Sequence, residues 1–157
     1  MKRWLIAILI LILILVLAFL SSTVLFLAED ETEGVPGVDM AAIWKFPGGF
    51  EWIYPGSSFN TNGHTLHNIH LEEEGDPYQH AKAIIQNTYN ITPNICIVIN
   101  NAAAERIFGE DILGNIREHD WGEGHDRGDA VEMSMTQFNI FGAIESLIHG
   151  DIRIFLI

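Results

Sequence analysis

Residues 95–109, ICIVINNAAAERIFG, decide the fold. The first five are apolar without interruption and mostly β-branched, the pattern of a strand covered on both faces and therefore central in a sheet. Asn100 and Asn101 follow at once and can cap a short helix through Ala102, Ala103, Ala104 and Arg106 that Gly109 closes. Cys96 lies inside the apolar run and is the only cysteine, so it reads as a small buried hydrophobe and no intrachain disulfide can form.

A strand covered on both faces requires neighbours, and the flanking sequence supplies them. Upstream, Asp76, Pro77 and Gln79 form a helix start, with a capping carboxylate, proline in the first turn and a reciprocal acceptor three residues after the cap. Tyr78, Ala81, Ile84, Ile85 and Thr88 give that helix one apolar face as far as Tyr89. Before it, residues 55–76 are rich in Gly, Ser, Asn and His and read as a long loop. Residues 38–46 and 50–54 are apolar and aromatic and are joined by Pro47, Gly48 and Gly49, which predicts a β-hairpin. Downstream, Ala130, Met133, Gln137, Phe138, Phe141, Ile144, Leu147 and Ile148 recur at helical spacing, with Gly150 placed to end a helix. Residues 151–157 read as a last strand. Alternating strands and helices around an apolar central strand predict an α/β domain, a central sheet sandwiched by helices.

The amino terminus is of another kind. After Lys2 and Arg3, residues 4–20 are apolar throughout, and after Ser21, Ser22 and Thr23 the apolar character resumes over residues 24–28. About 20 such residues span a bilayer core of roughly 30 Å, so residues 4–28 are expected to form a transmembrane signal anchor. Lys2 and Arg3 precede it and Glu29, Asp30, Glu31 and Glu33 follow, so the positive-inside rule predicts residues 1–3 in the cytoplasm and the remainder outside the cell membrane. Residues 29–37, EDETEGVPG, read as an acidic linker, and residues 38–157 as one extracytoplasmic domain. The apolar ending IRIFLI leads to the expectation that this domain is incomplete at its carboxyl terminus.

The net charge is −13, and the part from residue 29 onward holds all 21 acids against six bases, a net of −15. Such a chain has no basic face for nucleic acid and attracts cations. It contains no Gly-x-Ser-x-Gly, P-loop, dinucleotide fingerprint or His-Glu-x-x-His. Two clusters carry chemistry. His64, His67 and His70, followed by Glu72, Glu73, Glu74, Asp76 and His80, offer imidazoles and carboxylates for a divalent metal, or are ordinary loop residues. Residues 117–129, REHDWGEGHDRGD, place Arg117, Arg127 and Asp129 in a glycine-containing charged loop, either to meet a phosphate with a cation's help or simply to cap the next helix.

In order, VDMAAIW, WIYPG, YQHAKAIIQNTYNITPNICIVINNAAAERIFG and IREHDWGEGHDRGDAVEMSMTQFNIFGAI resemble the LytR-CpsA-Psr family of membrane-anchored cell-envelope proteins, and within it an uncharacterised archaeal branch associated with methanogens. The resemblance implies an α/β sandwich that binds a polyprenyl-linked phosphate and transfers a cell-wall glycan phosphate with a divalent metal such as Mg. It puts a metal-binding aspartate at Asp39, catalytic charged-loop positions at Arg127 and Asp129, and a ligand-binding polar position at Gln137, with Arg117 at the head of the same loop. The chain departs from the family pattern after Pro55, where Gly56 and Ser57 replace an Arg and an Asp, and again where Glu132 and Met135 replace two arginines. Phosphoryl transfer needs several cationic donors on the diphosphate. The expectation is therefore a domain that binds a lipid-linked or wall glycan phosphate with little or no catalysis. The alternatives are a metal-dependent phosphotransferase, or a metal-binding surface protein built on His64, His67 and His70. A polyprenyl tail would need an apolar cavity lined by residues such as Ile84, Phe138, Phe141 and Ile144.

Overall fold

The computed structural model describes residues 2–30, 37–45, 48–53, 55, 65–69, 76–119, 130–133 and 137–157. In chain order the elements are α1 (Lys2–Leu20), β1 (Thr23–Asp30), β2 (Gly37–Lys45), β3 (Phe50–Ile53), a single 3-10 turn (Leu66–Asn68), α2 (Pro77–Tyr89), β4 (Ile95–Ile99), α3 (Asn101–Phe108), α4 (Glu110–Arg117), β5 (Ala130–Met133), α5 (Ile140–His149) and β6 (Ile152–Leu156). The strands form one mixed sheet in the order β5-β3-β2-β1-β4-β6, in which β1 and β4 are parallel and every other neighbouring pair is antiparallel. This is the expected α/β architecture, with α2 on one face and α3, α4 and α5 on the other.

The amino-terminal helix differs from the expected anchor in where it stops. α1 ends at Leu20, where the Ser21 and Ser22 hydroxyls both donate to the Ala18 carbonyl, at 2.9 and 2.7 Å. Serine hydroxyls that bond back into the last turn compete with continuation of the helix, and Thr23 and Val24 then enter extended structure. Residues 24–28 are thus the core of β1, hydrogen-bonded to β2 on one side and β4 on the other, and not a continuation of the apolar helix. Glu29 and Asp30, expected in a linker, end that strand, and the sheet begins at Thr23, two residues after α1. The 18 residues Arg3–Leu20 remain long and apolar enough to cross a membrane, and none of them is buried against the rest of the molecule. Phe19, in the last turn of α1, stacks on Trp44 of β2 at 5.0 Å.

Alternation along the strands divides the core. Val24, Phe26 and Ala28 of β1 join Met40, Ala42 and Trp44 of β2 and Phe50 and Trp52 of β3 beneath α3 and α4, which contribute Ala103, Ala104, Ile107, Phe108, Leu113 and Ile116. Phe108 meets Phe50 at 5.3 Å and Trp52 at 5.0 Å, both edge to face, so three buried aromatics interlock there. On the other face Leu25, Leu27, Ala41, Ile43, Cys96 and Val98 pack against Ala81, Ile84 and Ile85 of α2 and against Leu66 and Ile69. Each fully buried large side chain of this kind contributes about 1.5–3 kcal/mol.

α2 has the expected cap: the Asp76 carboxylate accepts the Gln79 N–H at 3.1 Å, Pro77 occupies the first turn, and Asn90 in the left-handed region ends the helix. The helix expected from Ala130 differs. Residues 130–133 pair with β3 as a strand, and the helix runs only over Ile140–His149 behind the cap residue Asn139. Its apolar periodicity also faces away from the core. Only Gly142 and Ser146 of α5 are buried, whereas Phe141 is 79% and Ile148 78% exposed. A Cβ at position 142 would stand 2.7 Å from the Arg106 carbonyl carbon and closer still to its oxygen. α5 therefore lies against α3 along small residues, and its large apolar side chains point outward.

Candidate functional site

Parallel β1 and β4 carry their carboxyl ends to the same edge of the sheet, and in open α/β sheets that edge is where ligands bind. The first residues of β2 and β6, the last of β3, the first residue of β5 and the amino end of α3 are also there, by the pairings Glu29↔Val38, Ile99↔Ile152 and Ile53↔Ala130. The side chains that meet at this edge come from segments far apart in sequence.

Asp39 is brought into play by a bulge. The β1–β2 register passes from Ala28↔Met40 directly to Glu29↔Val38, so Asp39 has no partner across the ladder. One extra residue inverts the alternation of a strand. Accordingly Val38 is buried on the α2 face together with Ala41 and Ile43, and Asp39 is turned to the face that carries Met40 and α4. There its Oδ2 accepts from Nε of Arg117, the last residue of α4, at 3.2 Å. A second guanidinium nitrogen of Arg117 donates to Oδ1 of Asn101, the first residue of α3, at 3.4 Å. The Arg117 and Asp39 side chains are 40% and 34% exposed, so a ligand from solvent reaches both. Arg117 has five N–H donors in a planar fork. Two are engaged by Asp39 and Asn101, which hold the plane, and the others find no acceptor among the described residues. A guanidinium fixed in this way presents paired donors to a carboxylate or phosphate.

Two other arginines reach the same edge, and both serve to join elements. Arg106 of α3 donates to Asp151 and to the Ser146 hydroxyl, and Asn100 donates from Nδ2 to the other Asp151 oxygen at 2.8 Å while its Oδ1 accepts the Ala103 N–H at 2.9 Å. Asp151 is thereby held below the usual carboxylate range, first by its hydrogen bond from Arg106 and then by that from Asn100. This network ties the β4–α3 junction to the turn between α5 and β6. Arg153 of β6 pairs with Glu29 of β1 across β4. Nearby on that face, Tyr78 of α2 stacks on Phe155 at 3.9 Å, and burial pushes its phenol up. Burial also pushes the Cys96 thiol up to about 12, which suits a packing role.

Of the residues expected from sequence, Asp39 and Arg117 are thus brought together although 78 positions separate them. Gln137 lies elsewhere. It precedes α5 rather than sitting inside it, next to Phe138, which stacks on Phe50 at the opposite edge of the sheet. His67 is exposed in the 3-10 turn, where its Nδ1 lies 3.3 Å from the Val38 carbonyl and its backbone N–H donates to the Pro55 carbonyl, so it fastens that segment beside β2. Arg127, Asp129, His64 and His70 lie outside the described residues. Among the described residues no three His, Cys, Asp or Glu side chains come together as a metal site. The expected lining of a lipid cavity is not assembled either: Ile84 packs on the α2 face, Phe138 packs against the other core, and Phe141 and Ile144 are exposed. Asn101 is the member of the site that sequence marks only as a helix-cap candidate; its place at the start of α3, two residues past the central strand, is the available signal.

Compared with known proteins, the sequence matches no family model, and no curated protein or solved structure is significantly similar to it.

Proposed function

We propose that this chain is a membrane-anchored extracytoplasmic domain that binds a phosphate-bearing envelope ligand, a polyprenyl-linked or wall glycan phosphate, at the carboxyl edge of its sheet. The observation that carries the reading is the half-exposed Arg117 guanidinium, oriented by the bulge residue Asp39 and by Asn101. Lys2 and Arg3 at the amino end of α1, and acids from Glu29 onward, support the inward amino terminus. Arg117 would take phosphate oxygens through its remaining donors, and Asp39 would keep the fork from rotating. A Mg-like ion needs only one or two protein carboxylates besides phosphate oxygens and water. Asp39 is the described carboxylate that would hold such an ion, which would offset charge on the ligand.

Binding without robust turnover fits the electrostatics. Arg106 and Arg153 are committed to Asp151 and Glu29, so one described arginine faces the ligand in a domain of strong negative charge. Charge developing during phosphoryl transfer calls for several such donors.

Calorimetric titration of the full chain in non-ionic detergent tests the reading, using a short-chain polyprenyl phosphate with and without Mg2+ and the unphosphorylated polyprenol as control. The expected result is saturable binding of the phosphate only, weakened at least about tenfold by Arg117→Ala, the worth of a charge-assisted hydrogen bond. Equal binding of the alcohol, or unchanged binding by a folded Arg117→Ala chain, overturns it.

A further inference from the structure

α5 is an amphipathic helix mounted the reverse of the usual way. Gly142 and Ser146 face α3, and Ile140, Phe141, Ile144, Leu147 and Ile148 form one broad stripe that is 49–79% exposed. The stripe continues onto the sheet. Ile152 of β6 packs in the core beneath the helices, so alternation puts Ile154 and Leu156 on that same face, where they are 56% and 86% exposed. β6 is also the end of the sheet, with β4 as its one partner among the described strands. Its sequence, IRIFL, has neither Pro nor Lys to guard the edge, and its single charge is taken by Glu29.

The exposed apolar area of the stripe and β6 together is on the order of 900 Å2, beyond the roughly 300–600 Å2 of the largest patch on a typical monomer and close to the ~800 Å2 that each partner gives to a stable interface. Lipid tails cover apolar side chains but leave the backbone N–H and C=O groups of an open strand edge unsatisfied; a protein surface meets both needs. We infer that this face is a self-association surface, on which a second copy of the chain packs α5 against α5 across a two-fold axis. Such an interface needs only one patch, complementary to itself. Ile144, at the middle of α5, then lies close to its symmetry mate whichever way the two helices run.

The test is cross-linking of the full chain in membrane vesicles prepared without detergent, or in the soluble fraction should the chain be found there, so that loss of anchoring and loss of pairing are read separately. Ile144→Cys is treated with a short bis-maleimide beside Gln86→Cys, on the exposed side of α2 at the other face of the sheet; native Cys96 is buried and serves as background. Expected is a dimer from Ile144→Cys at least about tenfold stronger than from Gln86→Cys, and lost when Phe141→Glu is added while the circular dichroism stays unchanged. Equal cross-linking at both sites, a dimer indifferent to Phe141→Glu, or an Ile144→Cys chain that stays monomeric, including one shielded from maleimide by the bilayer, overturns the inference.

Discussion

Replacing Gly142 by alanine should separate α5 from α3. The added Cβ would stand 2.7 Å from the Arg106 carbonyl carbon, nearer to its oxygen, and 3.0 Å from Nδ2 of Asn139. The carbonyl belongs to the backbone of α3 and cannot rotate away, so the helices must part or tilt. That carbonyl also accepts from Asn139 Nδ2 at 3.0 Å, and Asn139 Oδ1 accepts the Gly142 N–H at 3.2 Å, so the displacement strains the joint at both ends. Overpacking of a close contact costs about 1–3 kcal/mol and the weakened hydrogen bonds about 1 more, whereas alanine returns about 1 in helix propensity. The net is a loss of about 2 kcal/mol, which lowers the melting temperature of a domain this size by roughly 8 °C. Gly114 of α4 is the matched control, because a Cβ there meets nothing within 4 Å. Gly114→Ala should stabilise by about 0.5–1 kcal/mol through propensity alone. Thermal and urea unfolding of the full chain in one detergent, followed by near-ultraviolet dichroism of the buried aromatics, reads both. A Gly142→Ala chain as stable as Gly114→Ala would refute the small-residue seam between α3 and α5.

Asn139 caps α5 through Oδ1 and donates from Nδ2 to the Arg106 carbonyl near the end of α3, so Asn139→Ala, which keeps the backbone N–H bond to Ile107, should cost about 2 kcal/mol by urea unfolding. Asp151 has a folded pKa held below its ordinary 3.8, so the stabilisation it gives is present above that value and is lost as pH falls through the folded one. Wild type should therefore exceed Asp151→Asn in melting temperature at pH 7, and the gap should narrow below about pH 3.8; a gap constant to pH 2.5 contradicts the network. The Cys96 thiol, raised to about 12 by burial, should resist an aromatic disulfide reagent at pH 8 in the folded chain and react once urea unfolds it.

Sequence made β4 and α2 legible for reasons that are local. ICIVI has no polar residue to give it a solvent face, and Asp76, Pro77 and Gln79 spell a helix start within four positions. β1 was obscured because VLFLA follows a membrane-like helix after a gap of three small residues, and hydropathy alone does not separate a span from a doubly covered strand. α5 misled for the opposite reason. Periodicity of its large residues reports an apolar face but not what covers it, and here the close contact with α3 belongs to Gly142 and Ser146. Asp39 and Arg117 were each readable as candidates, but their meeting depends on one unpaired residue in the β1–β2 ladder that no spacing rule announces.

The two-residue join between α1 and β1 has a mechanical consequence. A pull on the apolar helix is delivered lengthwise into an interior strand, with five-residue pairing to β4 on one flank and the longer ladder to β2 on the other. Load along that axis shears many hydrogen bonds at once, instead of peeling them singly as it would from the sheet's rim. Whatever strains the helix meets the interior of the sheet first, and the outer elements, α5 and β6 among them, feel it last.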